Sequence, residues 1–306
     1  MVYDIVIIGS GPAGLAAAIY AKRAELNVIV IEKAGLSGGQ IINTYEVDNY
    51  PGTPGISGFE LSTKFREHAD KLDTVFVNGE VTGFGLDGDI KVITMDDGTK
   101  YQTKAVVIAT GGAPRHLGVD GEEKLSGMGV SYCATCDGAF FKNKTVAVVG
   151  GGDVAVEDAI FLARICKQVY VIHRRDQFRA SKSVTSRLLA LENVTVLWDS
   201  VVDRINGGER VESIEVRNVK NDEKTSYDIA GAFIAVGYLP NSAIYKEIVA
   251  VDEAGYIIAN ESCETNIPGI FAAGDVRTKE LRQIITAASD GANAITAVEK
   301  YLNNLE

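Results

Sequence analysis

Cys133-Ala134-Thr135-Cys136 sets two thiols two residues apart, a spacing with three readings: half of a zinc site, a redox dithiol, or coincidence. Zinc wants four ligands and usually a second close pair. Cys166 and Cys263 stand alone, and His68, His116 and His173 are scattered, so no metal site is expected and the redox reading leads the other two. Two intervening residues on a helical turn bring the sulfurs within bonding distance, and a thiolate near a helix N-terminus has a lowered pKa. Asp137 has two readings of equal standing: an acid or base for a departing thiolate, or a cap on the turn before Gly138. Cys166, on an apolar helix, and Cys263, leading into a buried strand, are expected to be small core residues.

Two further stretches have the residue types of a phosphate cradle. An apolar run at 4–8 leads into Gly9-Ser10-Gly11-Pro12-Ala13-Gly14, an Ala-rich helix from Leu15 to Ala24 follows, and a strand from Asn27 to Ile31 ends at Glu32. In such units the first glycine makes the tight turn, the second admits a pyrophosphate, and the third lets helix and strand pack closely. The pyrophosphate then lies on the helix N-terminus, where free amides and the dipole favour an anion. The grammar recurs. Thr145 to Val149 leads into Gly150-Gly151-Gly152-Asp153-Val154-Ala155, then a helix from Val156 to Ile165, then a strand from Val169 to Ile172 ending at His173-Arg174-Arg175. The interval from Gly9 to Glu32 equals that from Gly150 to His173, 23 residues, so the units are in register. An acid at this position accepts hydrogen bonds from ribose hydroxyls and repels a 2′-phosphate. A His-Arg-Arg cluster, which Arg179 can join, attracts one through two-pronged, charge-assisted bonds. The first turn suits FAD or NAD, the second NADP(H).

The elements that must position these residues also repeat. Lys104 to Gly111 resembles Ala230 to Gly237, each an apolar strand ending in glycine and soon followed by proline, Pro114 and Pro240. These read as the last strand of each unit and as crossing points between domains. The expected class is α/β: two Rossmann-like, three-layer nucleotide-binding domains, the second inserted into the first. Residues 1–113 and 243–306 would form one, FAD-binding, and 114–242 the other, NADPH-binding and carrying the CxxC pair. A length of 306 residues suits two domains, and 46% hydrophobic with 23% charged residues is ordinary for soluble chains. A net charge of −11 argues against nucleic acid or an anionic membrane surface. No apolar run approaches a spanning length, and Val2-Tyr3-Asp4 leads into a strand without the basic start of a secretory signal. A cytoplasmic protein that binds neither nucleic acid nor membrane is expected.

The chain resembles the low-molecular-weight bacterial thioredoxin reductases over essentially its whole length. Six motifs carry the likeness: Gly9-Ser-Gly-Pro-Ala-Gly14, Gly38-Gly39-Gln40, Cys133-Ala-Thr-Cys-Asp-Gly138, Gly150-Gly-Gly-Asp153 with Ala155, His173-Arg-Arg175 with Phe178-Arg-Ala180, and Phe271-Ala-Ala-Gly-Asp275 followed by Arg282-Gln283. Each is modest alone; together and in this order they are very specific. The resemblance implies an FAD-containing homodimer that passes electrons from NADPH through FAD to a Cys133–Cys136 dithiol and on to thioredoxin or a thioredoxin-like protein. It implies that Glu32, Gly39 and Gln40 line the adenosine and flavin path, that Asp275 bonds the ribityl–pyrophosphate region, and that Gln283 approaches the isoalloxazine. Lys33, Asn49, Thr110, Gly111, Gly274, Arg282 and Ile284 join Gly9, Gly11, Pro12, Ala13 and Gly14 in the implied FAD set. Gly150, Gly152, Asp153, Val154, Ala155, His173, Arg174, Arg175 and Arg179 form the implied NADPH set. From the residues alone Gly274-Asp275 reads as a helix N-cap.

The resemblance places Cys136 nearer the flavin and favours Cys133 as the thiol that attacks the partner. Nicotinamide and dithiol belong to one inserted domain, yet both must meet one flavin. That domain is therefore expected to rotate, with Gly111–Pro114 and Gly237–Asn241 as hinges. Val154 departs from the family, whose members often carry Ser, Thr or Ala there, and weaker NADPH affinity is a possible consequence. Four other readings compete. A peroxiredoxin-dedicated reductase would carry an extra N-terminal module. A ferredoxin-linked reductase would not need the cysteines, and a small-molecule dithiol oxidase would not need the basic cluster. A nucleotide-binding scaffold would leave CxxC beside a flavin unexplained.

Overall fold

The computed structural model describes residues 1–44, 47 and 49–305. The chain divides into two compact units, Met1–Ala113 with Leu239–Glu306, and Pro114–Tyr238. In chain order the first opens with β1 (Val2–Ile8), α1 (Pro12–Arg23), β2 (Val28–Glu32), a 3-10 turn at Gly39–Asn43 and α2 (Gly58–Asp70). There follow β3 (Val75–Asn78), β4 (Val81–Asp87), β5 (Ile90–Met95), β6 (Lys100–Ile108) and β7 (Gly112–Pro114). The second contains β8 (Val130–Ser131), α3 (Ala134–Asp137), β9 (Thr145–Gly150), α4 (Asp153–Ala163), β10 (Gln168–Ile172), α5 (Lys182–Leu189) and β11 (Val194–Leu197). It is completed by β12 (Ser200–Gly207), β13 (Val211–Asn218), β14 (Lys224–Asp228) and β15 (Gly231–Ala235), and the return runs through β16 (Tyr238–Pro240) to β17 (Ile270–Ala272) and α6 (Ile284–Asn303).

In the first unit the strands run β3-β2-β1-β6 in parallel. The edge of β6 is shared: Lys100–Thr103 pairs antiparallel with β5, and Val106–Ile108 pairs in parallel with β17. Ile5 and Ile7 face a core with Ala17, Ala18 and Ala21 of α1 and Ala294 and Val298 of α6. Val6 and Ile8 face the opposite core with Ile29, Ile31, Ile93 and Tyr245. A strand covered on both faces has no polar alternation to keep, which is why 5–8 reads as an unbroken apolar run. Each such side chain contributes about 1.5–3 kcal/mol by burial.

The second unit repeats this plan. Its parallel sheet runs β11-β10-β9-β15-β8, and β12-β13-β14 form an antiparallel sheet. The strand outside β15 precedes the unit's first glycine turn in sequence, whereas its counterpart β17 comes near the end of the chain. The expectation of two Rossmann-like domains per chain is met; local expectations shift at two places. The first unit resumes at Leu239 rather than at residue 243. Asn241 belongs with it because its N–H donates to the Gly111 carbonyl at 2.9 Å, its amide to the Thr110 carbonyl at 2.9 Å, and its own carbonyl accepts from the Thr110 hydroxyl at 2.7 Å. The helix expected to reach Ile165 ends at Ala163, so Cys166 lies beyond it. The reason is distant in sequence: the Asn193 amide donates to the carbonyls of Ala163 (2.8 Å) and Cys166 (3.2 Å). No helix of the described residues is long and apolar enough to cross a membrane.

One buried ion cluster anchors α6. Asp290, 4% exposed, accepts from Arg277 Nε (2.9 Å) and Nη2 (2.9 Å), Lys279 Nζ (2.8 Å) and the Gly274 N–H (2.9 Å). Burial pushes its carboxyl up, but the bonds from Arg277 and Lys279 outweigh burial and leave it below its ordinary value. Asp290→Ala leaves two buried cations without their counter-charge and is expected to cost about 3–5 kcal/mol. The urea midpoint of the purified protein reads this, and an unchanged midpoint would remove Asp290 from its anchoring role.

Candidate functional site

The first glycine turn shows which of its glycines the protein itself needs. A Cβ on Gly9 would run into the Ala109 carbonyl, and one on Gly14 into the Gly9 carbonyl. Gly11 is different: apart from its own chain neighbours, no described atom lies within 4 Å of its Cβ position. It N-caps α1 with no side-chain cap, so the first-turn amides and the positive end of the dipole are offered outward. The adjoining Gly39 would place a Cβ 3.4 Å from the Gly11 α-carbon, and the Gly38 N–H donates to the Ser10 carbonyl at 2.8 Å. At the end of β2, Glu32 Oε2 accepts from both the N–H and the hydroxyl of Ser10 at 2.7 Å, and Oε1 accepts from the Ala34 N–H at 2.8 Å. The carboxylate is thus held still with acceptor capacity remaining.

The return segment adds a second wall. Gly274, at φ +78°, would bring a Cβ to 2.9 Å from the Ala13 methyl. Asp275 Oδ1 and Arg282 Nε are buried without a partner among the described residues. Burial raises the Asp275 carboxyl above its ordinary value, opposed by Lys279 and Arg282. Arg282 stacks 4.0 Å over the Tyr256 ring. Gln283 caps α6, reciprocally with Thr286, and its Oε1 accepts from Asn49 Nδ2 at 2.9 Å. Ile284 is the first residue of that helix, Gln40 lies exposed in the turn begun by Gly39, and Thr110 and Gly111, just beyond β6, are bonded to Asn241. The expected N-cap at Gly274-Asp275 is corrected: these residues lie inside a 3-10 turn capped by Ala273, because the Asp290 carboxylate takes the Gly274 N–H. Lys33 stands apart, exposed and 3.8 Å from Glu80 Oε1. The first unit as a whole fits FAD. An open glycine over a helix start suits a pyrophosphate, a fixed acceptor suits ribose hydroxyls, and an unpartnered buried carboxylate oxygen suits a further hydroxyl.

The second turn repeats the arithmetic. A Cβ on Gly150 would meet the Ala235 carbonyl and come within 2.7 Å of the Ala155 methyl, while Gly152, the N-cap of α4, has nothing within 4 Å. Val154 is 64% exposed in the first helical turn. The basic segment is tied down from two sides: the Arg179 N–H donates to the Gly151 carbonyl at 2.8 Å, and the Ser181 N–H to Asp153 Oδ1 at 2.9 Å. Arg174, Arg175 and Arg179 are exposed. His173 is not a further cation beside them. It is buried, donates Nε2–H to the Gln177 carbonyl at 3.0 Å, and packs against Phe178 and Trp198 under Gly151. Burial lowers its pKa below the ordinary value, so it is neutral at pH 7 and supports the turn. A charge-based reading of His-Arg-Arg had no means of seeing which of the three points inward.

Cys133 and Cys136 form a disulfide, with α-carbons 5.3 Å apart, so their sulfurs are paired with each other rather than set as half of a zinc site. Cys133 caps α3, a single turn running into a 3-10 turn at Gly138–Phe141, so the helix dipole expected to act on a thiolate is short. The Thr135 hydroxyl lies 3.4 Å from Cys133 Sγ. The cap reading of Asp137 is not met, since its side chain makes no cap bond; instead Oδ2 accepts from the Ser131 hydroxyl at 2.6 Å. Burial raises its carboxyl above the ordinary value and the Ser131 bond pulls it back in part. Burial pushes the Cys166 thiol up to about 11 and Cys263 up to about 12, so both are inert at neutral pH. Ser10, Ser131 and Ser181 carry bonds that sequence reasoning did not assign. Only Ser10 had a signal, its place between two glycines of the turn.

Known proteins resemble this chain over nearly its whole length. The pyridine nucleotide-disulphide oxidoreductase family matches residues 3–291. A thioredoxin reductase of Peptoclostridium acidaminophilum is 45% identical over 98% of this chain and 97% of its own length. One from Bacillus subtilis is 42% identical over 100% and 96%. The crystal structure of a thioredoxin reductase from Streptococcus pyogenes superposes with a TM-score of 0.92 at 47% identity, covering 99% of each chain.

The unequal glycines make a direct test. Gly11→Ala is expected to fold with an unfolding free energy within about 1 kcal/mol of the parent, the cost of a poorer cap, yet to purify with less bound flavin. Gly14→Ala is expected to lose both stability and flavin. Flavin absorbance per chain decides: full occupancy in Gly11→Ala would take this turn out of the cofactor site.

Proposed function

The chain belongs to the pyridine nucleotide-disulphide oxidoreductases and within them to the thioredoxin reductases, and on that premise we propose that it reduces the disulfide of a thioredoxin with electrons from NADPH. The observation that carries the reading is the Cys133–Cys136 disulfide in a unit whose glycine turn is flanked by three exposed arginines. When bound, FAD supplies a two-electron station between a nicotinamide and a disulfide.

The residues of the chain have the following tasks. In the first unit Gly9, Gly11, Pro12, Ala13 and Gly14 aim the start of α1 at the FAD pyrophosphate, and Glu32 accepts from its ribose. Gly39, Gln40, Asn49, Thr110, Gly111, Gly274, Asp275, Arg282, Gln283 and Ile284 line the remaining path, with Lys33 at its margin. In the second unit Gly150, Gly152, Asp153, Val154 and Ala155 present α4 to the NADPH pyrophosphate, while Arg174, Arg175 and Arg179 pair with the 2′-phosphate. These arginines favour NADPH over ferredoxin as donor. Two electrons and two protons break the Cys133–Cys136 bond into two thiols, with Asp137 passing a proton to the departing sulfur. Cys133 as thiolate then attacks the partner's disulfide, Cys136 resolves the mixed disulfide, and the partner leaves as a dithiol. Rotation of 114–238 about the glycine-bearing crossings lets nicotinamide and dithiol take turns. The reading further includes a homodimer, which rests on the family resemblance, and a cytoplasmic setting, in which Cys166 and Cys263 stay reduced.

Replacing both Arg174 and Arg175 by Ala is expected to raise the KM for NADPH by roughly tenfold or more, since a hydrogen bond to a charged group is worth about 1.5–3 kcal/mol, and to leave the KM for NADH unchanged. Equal effects on both nucleotides would refute the assignment. In an anaerobic NADPH titration, wild type is expected to take up one more electron pair than Cys136→Ser. Equal uptake would remove the dithiol from the relay.

A further inference from the structure

Ser131, at the end of β8 and 5% exposed, has a hydroxyl with three neighbours in the disulfide loop. It donates to Asp137 Oδ2 at 2.6 Å and accepts from the Cys133 N–H at 3.1 Å, and the Cys133 carbonyl lies at 3.3 Å as an alternative acceptor. One small side chain thus holds the backbone of the first cysteine and the carboxyl that follows the second.

A hydroxyl has one proton and two lone pairs, and it rotates to suit its neighbours. With Asp137 ionised, its proton points to Oδ2 and one lone pair takes the Cys133 N–H. With Asp137 protonated, the carboxylic acid becomes the donor. The serine then needs its second lone pair for Asp137 and a new acceptor for its own proton, and the Cys133 carbonyl stands where that acceptor is required. That carbonyl also accepts from the Asp137 N–H at 3.1 Å and the Cys136 N–H at 3.3 Å, so the serine proton shares it as a third contact, and no heavy atom has to move.

We propose that Ser131 is a positioning residue for disulfide reduction, keeping Asp137 bonded to the Cys133 backbone in both protonation states by turning its proton between Asp137 and the Cys133 carbonyl. The role rests on Asp137 as the proton donor of the reaction. When the S–S bond takes up two electrons, Asp137 gives its proton to a departing sulfur and becomes a carboxylate, and the serine O–H swings back to meet the new charge. Burial raises the Asp137 carboxyl and the Ser131 bond lowers it. α4, packed against α3, carries Asp153, bonded to the Ser181 N–H, Glu157, exposed, and Asp158, pushed up to about 7 by burial and Glu157. On the β8 side, the Tyr132 hydroxyl is engaged with Glu122 at 3.0 Å and lies 2.9 Å from His116 Nδ1.

The test uses the holoenzyme in five forms: wild type, Ser131→Ala, Ser131→Thr, Asp137→Asn and the Ser131→Ala/Asp137→Asn double variant. Each is reduced by NADPH in a single turnover across the neutral pH range, and the released thiols are trapped by alkylation. Loss of the Ser131 bond, which favours the carboxylate, is expected to move the Asp137 limb of the Ser131→Ala profile up by about one pH unit. Ser131→Thr, which keeps the hydroxyl, is expected to restore it, and Ser131→Ala is expected to shift nothing further once Asp137 is Asn. A limb belonging to Asp158 would stay in place in every variant. If Asp137→Asn removes the limb but Ser131→Ala leaves it unmoved, or only lowers the rate at all pH values, the positioning role is overturned and the Asp137 reading stands. If Asp137→Asn leaves the limb intact, the Asp137 reading has failed, and the Ser131 role with it.

Discussion

The contact between the carbonyl of Gly9 and the α-carbon of Gly14 determines where the rest of the first unit can lie. With any side chain at residue 14 the start of α1 would have to lift away from the end of β1. The first-turn amides of α1 would then no longer open directly above the sheet. The second unit allows a single methyl at the matching place, Ala155, held 2.7 Å from the Cβ position of Gly150, and so keeps nearly the same approach. Both units then hang their selectivity on the far end of the next strand. In the first this is a carboxylate pinned by the serine inside the turn, and in the second a basic segment stitched to the turn by the Arg179 and Ser181 amides.

Charge is used in two ways. Where it is buried, it locates backbone: Asp290 gathers Arg277, Lys279 and the Gly274 N–H, and so sets the turn that bears Asp275 against the start of α1. Breaking such a cluster is costly because the survivors stay buried and unpaired. Where charge is exposed, as on Arg174, Arg175 and Arg179, it does little for the fold and is left free to meet a ligand. His173 sits between these uses, a residue of the basic motif turned into a neutral strut.

Much of this was legible in the sequence because it is local. The glycine turns, the strands around them and the equal 23-residue intervals to Glu32 and His173 follow from chain geometry over one strand and one helix. The CxxC pair and its partner choice were legible for the same reason. What was not legible depends on residues that meet only in the fold. Asn193 ends a helix 30 residues away and leaves Cys166 outside it. Asp290 claims the amide that would have made Gly274-Asp275 look like an N-cap. Ser131 ends a strand and Asp137 ends a single helical turn six residues on, so no spacing rule of either element pairs them. The inward turn of His173 follows from aromatic neighbours, Phe178 and Trp198, of which the second lies beyond the motif.

The two units also differ in continuity, and that bears on how the chain comes into being. Residues 114–238 form an unbroken stretch that contains all of its own sheet, so during synthesis this part can complete its core as soon as β15 has emerged. The first unit begins earlier and must finish later. Until β17 and α6 are made, half the edge of β6 lacks its partner and the small-residue face of α1 lacks the helix that Gly291 brings against it. The amino-terminal part therefore waits, apolar and half-covered, for the carboxy-terminal residues. It is the stage of its life at which the nascent chain most depends on a chaperone, and at which a stalled ribosome would leave it most prone to aggregate.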